Sequence, residues 1–229
     1  MGTRNLTLVQ YQNEIKVAQY GQWDGYPSGN GVQILKFCNS NQNLNNLRNR
    51  LKNIRFLTDE EEDDIYKTLS KLEDKRRKAK ATYNYYKPTK KENFAEDYFE
   101  FYLTRDIGWN ILNIINENVP YETIENDEDK IKLSNHFTFG YNSLFCEWAY
   151  LINLDTNKLE CYCGFNKTEN NPKSRWYVEN PKEDEKYFGI VLLKEYDLDD
   201  LPLESLFVKE LNLLSDLRYL ETEKHEISK

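Results

Sequence analysis

The densest collection of groups able to do chemistry lies near the start of the chain. Gly21-Gln22-Trp23-Asp24-Gly25-Tyr26-Pro27-Ser28-Gly29-Asn30-Gly31 gathers four of the nine glycines into eleven positions, which excludes helix or regular strand and marks a structured loop. With Gln19 and Tyr20 just before it, the loop offers rings, amides, a carboxylate and a hydroxyl, the mixture with which pockets stack and orient a small polar molecule. Its glycines let backbone N–H groups approach a ligand. Gly29-Asn30-Gly31 also stands where a helix begins, a place at which unpaired amides and the helix dipole favour an anion. No Gly-Lys-Ser/Thr follows, so the stretch is not a nucleoside-triphosphate P-loop. Two readings stay open. In one, Gln19, Tyr20, Gln22, Trp23, Asp24, Tyr26, Gly29 and Gly31 contact a ligand; in the other, Trp23, Tyr26 and Pro27 cover the end of a hairpin and the glycines make turns.

Arg4, on an opening strand, and Glu147, in an otherwise apolar strand, are the charges least expected where they stand. A lone ionised carboxylate in a core is costly, so Glu147 requires a cation, Arg4 or Arg105, or a polar cleft. The structural reading is an ion pair. The functional one sets Arg4, Asp24, Asp106 and Glu147 around one pocket, with Arg4 as anion clamp, Arg105 as a further ligand-binding candidate, and Asp106 or Glu147 as general base. Thr3 suggests a different chemistry, that of hydrolases whose N-terminal Thr, Ser or Cys is activated by its own free amine; Gly2 stands in the way, because the amine then belongs to a residue without a nucleophile.

Other chemistries find less support. His136 and His225 are the only imidazoles, and His225 lies in a charged tail, so a Ser-His-Asp or Cys-His arrangement rests on His136 beside Phe137 and Phe139. Cys161 and Cys163 share a strand face and with His136 or Cys146 have the makings of a zinc set, but no CxxC or HxxxH spacing accompanies them, and no metal or cofactor is expected. The four cysteines read as reduced thiols. A formal charge of −8 argues against a dedicated nucleic-acid binder, and Arg76-Arg77-Lys78 reads as a solvated helix end. No apolar run approaches the roughly 20 residues of a bilayer span, and the start lacks a signal-peptide core, which predicts a cytoplasmic protein with no membrane partner.

The elements that position these residues follow from pattern. Residues 3–11 and 14–20 read as a hairpin turning at Gln12-Asn13. Val32 to Cys38, with Leu44, Leu47, Leu51 and Ile54 at spacings of three and four, predicts one amphipathic helix. Thr58 and Glu61 form a capping box for a second helix, acidic at its start and basic from Lys75 to Lys80. Thr104 caps a third, carrying Ile107, Ile111, Leu112, Ile114 and Ile115. Leu144 to Leu154 reads as a central strand turning at Asp155–Lys158 into a partner from Leu159 to Phe165. A strand from Tyr187 to Tyr196 and a C-terminal helix with Leu206, Phe207, Leu211, Leu214 and Leu217 close the chain, and no coiled-coil seam is apparent. The expectation is one α+β domain over 1–229: a mostly antiparallel sheet built from N- and C-terminal hairpins, with helices from the middle and C-terminus packed on it. Residues 81–95 and 166–186 are read as surface loops or insertions.

Gly2-Thr3-Arg4, the block Ala18-Gln19-Tyr20-Gly21-Gln22-Trp23-Asp24-Gly25-Tyr26-Pro27 with Gly29 and Gly31, and Ser143-Leu144-Phe145-Cys146-Glu147-Trp148-Ala149-Tyr150 resemble a family of uncharacterised bacterial, phage and fungal proteins. Arg105-Asp106 and the run Leu151 to Asp155, with the later Gly164-Phe165-Asn166, are similar to further segments of that family, so the resemblance covers roughly half the chain. It implies no activity, cofactor or catalytic residue. The reading the residues lead to is a protein that binds or sequesters a small polar, nucleotide-like molecule at the N-terminal loop. An amide- or phosphoester-cleaving hydrolase using the same pocket is one alternative; a protein-interaction or phage anti-defence role, with a protein partner on Trp23 and Tyr26, is another.

Overall fold

The computed structural model describes residues 2–65, 67–68, 71, 107–168, 172–177 and 187–227, the last with side chains as far as 220. In chain order the elements are β1 (Asn5–Tyr11), β2 (Glu14–Gly21), α1 (Val32–Cys38), α2 (Asn41–Arg50), β3 (Ile54–Phe56), α3 (Ile111–Asn118), β4 (Ile131–Leu133), β5 (Trp148–Asn153), β6 (Lys158–Cys163), β7 (Val191–Asp197) and α4 (Glu204–Ile227). The architecture is α+β, with a mixed, mostly antiparallel five-stranded sheet in the order β2-β1-β5-β6-β7.

The hairpin of β1 and β2 turns at Gln12 and Asn13, whose φ values of 56° and 61° are the left-handed pair that matches the twist of the strands. Asp155, at the tip of the β5–β6 hairpin, accepts the N–H groups of Gln12 at 2.7 Å and Asn13 at 2.8 Å, so each hairpin fixes the other. They join along β1 and β5, which run parallel, with Asn5 opposite Trp148 and Gln10 opposite Asn153. This places the starts of β1 and β5 and the ends of β2 and β6 at one end of the sheet, where the glycine loop also lies.

Alternate residues supply two cores. Val9, Tyr150, Ile152, Leu159 and Cys161 face the helices, meeting Ile34, Leu47, Ile111, Phe207 and Leu211. Leu6, Leu8, Ala149, Leu151 and Tyr162 face the other way and pack against Trp176 and Ile190. Trp176 corrects the sequence reading, since it sits in the stretch taken for a surface loop yet is fully buried. Its indole N–H donates to the Phe137 carbonyl at 2.9 Å, and its ring stacks on Phe137 at 5.0 Å.

The helix expected over 32–54 is two helices and a strand. Ser40 adopts an extended conformation and its hydroxyl accepts the Asn43 N–H at 3.3 Å, a cap that starts α2 afresh, and Ile54 enters β3. The capping box is present as expected: the Glu61 N–H reaches the Thr58 hydroxyl at 3.3 Å, and the Thr58 N–H reaches the Glu61 carboxylate at 3.0 Å. Hydrogen bonds from Arg55 and Lys132 hold the Glu61 carboxyl well below the usual carboxylate range and tie this helix start to β3 and β4. Thr104, Lys75 to Lys80 and residues 81–95 lie outside the described residues. No helix among the described residues is long and apolar enough to cross a membrane.

Candidate functional site

The glycine loop is shaped by two buried carboxamides. Asn5, in β1, donates its side-chain amide to the carbonyls of Gly21 at 3.2 Å and Trp23 at 3.1 Å. Asn30 donates to the Asn5 side-chain oxygen at 2.9 Å and also to the Trp23 carbonyl at 3.2 Å. Below them the Tyr150 hydroxyl donates to the Gly25 carbonyl at 3.0 Å. Buried amides and carbonyls of a non-repetitive loop need partners, and these side chains provide them. Gly29 is required by close approach, because a Cβ there would lie 2.3 Å from the Asp24 carbonyl oxygen.

This architecture closes the expected anion site. The N–H groups of Gly29 and Gly31 both donate to the Tyr26 carbonyl, at 2.9 and 3.3 Å, and that of Asn30 donates to the Asp24 carbonyl at 2.7 Å. The chain forms a tight turn over Pro27–Gly31 that uses its own amides and leads directly into α1. What the loop presents instead is side chains: Trp23 is 61% and Tyr26 54% exposed, and Asp24, with φ of 54°, is also exposed.

The predicted residues separate into groups. Arg4 and Glu147 meet: the Arg4 backbone N–H donates to the Glu147 carboxylate at 3.3 Å, Arg4 Nε lies 3.8 Å from the same oxygen, and the guanidinium covers the Phe145 ring at 4.6 Å. Glu147 stands just before β5 rather than within it. Its backbone is pinned between the Arg4 carbonyl, which accepts its N–H at 3.0 Å, and the Gly164 N–H, which donates to its carbonyl at 2.8 Å. Gln19 is buried, and Tyr20 projects from the opposite face of the strand, edge-on to Phe139 at 5.0 Å and hydrogen-bonded to Gln22. Thr3 is 4% exposed beneath the loop, its carbonyl accepting the Gly25 N–H at 3.0 Å, so the open approach that a nucleophile needs is closed. Arg105 and Asp106 lie outside the described residues.

Tyr26 and Glu147 border one cleft of about 420 Å³, completed by Trp148, Cys163, Gly164, Phe165 and, from α4, Asn212, Ser215 and Asp216. The three α4 residues share a face through their i, i+3, i+4 spacing, a polar signal that sequence reading passed over in following the leucines. Arg218 holds this wall in place by donating to the Asn166 side-chain oxygen at 3.2 Å and the Thr168 hydroxyl at 2.6 Å, on the segment that leaves β6. Phe165, with φ of 53°, turns an exposed ring to the cleft opposite Tyr26's loop. Burial pushes the Cys163 thiol, at the floor, up to about 12, which keeps it protonated at neutral pH. The cleft therefore offers the exposed rings of Tyr26 and Phe165 beside the buried Trp148, the carboxylates of Glu147 and Asp216, the Asn212 amide and the Ser215 hydroxyl.

A second cleft, about 650 Å³, lies on the sheet face that carries Trp176. Its wall holds a buried polar cluster. The Glu160 carboxylate accepts from Asn153 at 2.7 Å, from Arg175 at 2.9 and 3.0 Å, and from the Tyr162 hydroxyl, and Arg175 also donates to Gln10 at 2.6 Å. Burial acts to raise the Glu160 pKa, but hydrogen bonds from Arg175, Asn153 and Tyr162 outweigh it and hold the carboxyl below its ordinary value. Every carboxylate oxygen is occupied, so the cluster clamps the Arg175–Trp176 segment to the sheet. His136 is likewise engaged, its ring nitrogen Nδ1 accepting the Tyr20 N–H at 3.3 Å, and burial holds it below its ordinary pKa. All four cysteines are free and buried, and no group of three or more metal-ligating side chains is assembled among the described residues. No family model, curated protein or solved structure matches the chain.

Proposed function

We propose that the chain is a cytoplasmic binding protein for a small ring-bearing polar molecule, nucleoside-like in its hydrogen-bond donors, held in the cleft between the glycine loop and α4. The observation that carries this reading is the convergence of Tyr26, Phe165, Glu147 and Asp216 on one hollow of about 420 Å³, within the range that small-molecule sites occupy. Rings stack a planar group, and the carboxylates take amine and hydroxyl protons. With the loop amides spent internally, the part recognised is a base or a sugar rather than a phosphate. The loop is braced by Asn5, Asn30 and Tyr150 before any ligand arrives, which lowers the entropy cost of binding.

A thermal-shift panel of nucleosides, nucleotides and amino-acid derivatives tests the proposal. A rise in melting temperature with nucleosides that is lost in Tyr26→Ala and Asp216→Asn is the expected result; indifference to every class at millimolar concentration contradicts it. A protein partner is the second reading, favoured by Trp23, which is exposed outside the cleft, and by Phe145, which stays 42% exposed beneath Arg4. That reading predicts a stable complex that Trp23→Ala disrupts.

A further inference from the structure

Helix α4 carries two apolar faces, and among the described residues only one of them is covered. Phe207 and Leu211 are fully buried against the sheet and α1. Leu206, Leu213, Leu217 and Leu220 are each 49–55% exposed. At 100° per residue these four fall within one sector, well away from the buried pair and from Asn212 and Ser215 of the cleft wall, with Asp216 at the border between the stripe and the cleft. Leu206, Leu213 and Leu220 recur every seven residues with Leu217 between them, the spacing of a helix seam that packs against another helix. The stripe runs about 21 Å along the axis.

We propose that a second copy of this chain covers the stripe, with the two α4 helices antiparallel about a two-fold axis at Leu213. Charge selects both the occupant and the direction. Lys209 and Asp216 lie on the same edge of the stripe, seven residues apart. A two-fold antiparallel crossing sets that edge against its own copy with the sequence reversed. Lys209 then stands opposite the partner's Asp216, and the pairing occurs twice. The same operation sets Leu206 on the partner's Leu220 and Leu213 on its own equivalent. A parallel pair would instead face the Lys209 edge with the edge that carries Glu210, which is already engaged by Lys194 and Tyr196. The surface is thus complementary to itself, which is the requirement for a closed dimer.

Sedimentation velocity on the full chain across a concentration series is the test. A monomer–dimer equilibrium is expected, abolished by Leu213→Glu with an unchanged circular dichroism spectrum, weakened by Lys209→Asp and recovered in the double variant Lys209→Asp with Asp216→Lys. Because the native thiols are buried, cysteines introduced on the stripe report its geometry. Leu213→Cys should form a disulfide-linked dimer under mild oxidation, whereas Leu206→Cys alone should not. A monomer at every concentration, or a dimer that survives Leu213→Glu, overturns the proposal; efficient self-linking of Leu206→Cys overturns its antiparallel form.

Discussion

Asn30 donates its side-chain amide to the buried carboxamide oxygen of Asn5 across 2.9 Å, joining the end of the glycine loop to the first residue of β1. Both residues are buried, and between them they satisfy the carbonyls of Gly21 and Trp23. The loop's shape is therefore set by two buried side chains that do not line the cleft.

Asn30→Ala leaves the Asn5 oxygen and part of the Trp23 carbonyl without a donor. The expected loss is about 1–3 kcal/mol of unfolding free energy, read by urea denaturation, together with weaker binding in the cleft because Tyr26 is no longer held. An unchanged denaturation midpoint would show that the pair does not brace the loop.

The Glu160–Arg175 clamp should set part of the acid limb of stability. Glu160 has a depressed pKa in the folded state. Its contribution is thus present above the unfolded value, about 4.3, and disappears as pH falls through the lower folded value. Arg175→Leu strands a buried carboxylate, which costs up to about 3–5 kcal/mol at neutral pH; partial exposure of Arg175 favours the lower end. The gap between native and variant should narrow as the pH falls, first where the stranded Glu160 of the variant takes up a proton, at higher pH than in the native protein because burial is no longer offset by Arg175, and further as the native Glu160 is protonated. A gap independent of pH would mean that Arg175 acts through packing alone.

The thiols give a readout of integrity. Burial raises the pKa of all four cysteines, that of Cys163 to about 12. A thiol reagent at pH 8 should leave the native protein unmodified and react with four groups after denaturation. Fast native labelling of a single site, traced to Cys163 by mass spectrometry, would show the cleft floor to be open.

Local signals in the sequence carried much of the fold. Gln12-Asn13 announces a tight turn, and Thr58 with Glu61 announces a helix start, because in each case the few residues that make the contact are neighbours in the chain. The parallel contact of β1 with β5 was hidden, since it joins residues some 140 positions apart and depends on how two complete hairpins dock. Trp176 was misread for a related reason. It lies in a polar stretch whose composition suggests a surface loop, and contacts with residues distant in sequence, the Arg175–Glu160 clamp and its own hydrogen bond to Phe137, bring it into the core. On α4, Leu206, Phe207, Leu211, Leu214 and Leu217 mark the helix but not its buried side: Phe207 and Leu211 are fully buried while Leu206 and Leu217 point away from them, because the helix has apolar residues over more of its circumference than one sheet face can cover.

At the site, the Arg4–Glu147 pair was legible from the oddity of two charges in apolar surroundings, and the loop from its glycines. The cleft itself was not, because one wall comes from α4, some 190 residues beyond Tyr26, and no local pattern links Asp216 to Tyr26.

The most direct test of the account is a crystal structure of the chain with the nucleoside that gives the largest thermal shift. The ring is expected against Tyr26 and Phe165, with the ligand's donor groups on Glu147 and Asp216 and the glycine loop unmoved. Ligand density in the Glu160–Arg175 cleft or elsewhere, with the cleft beside α4 left empty, would contradict it.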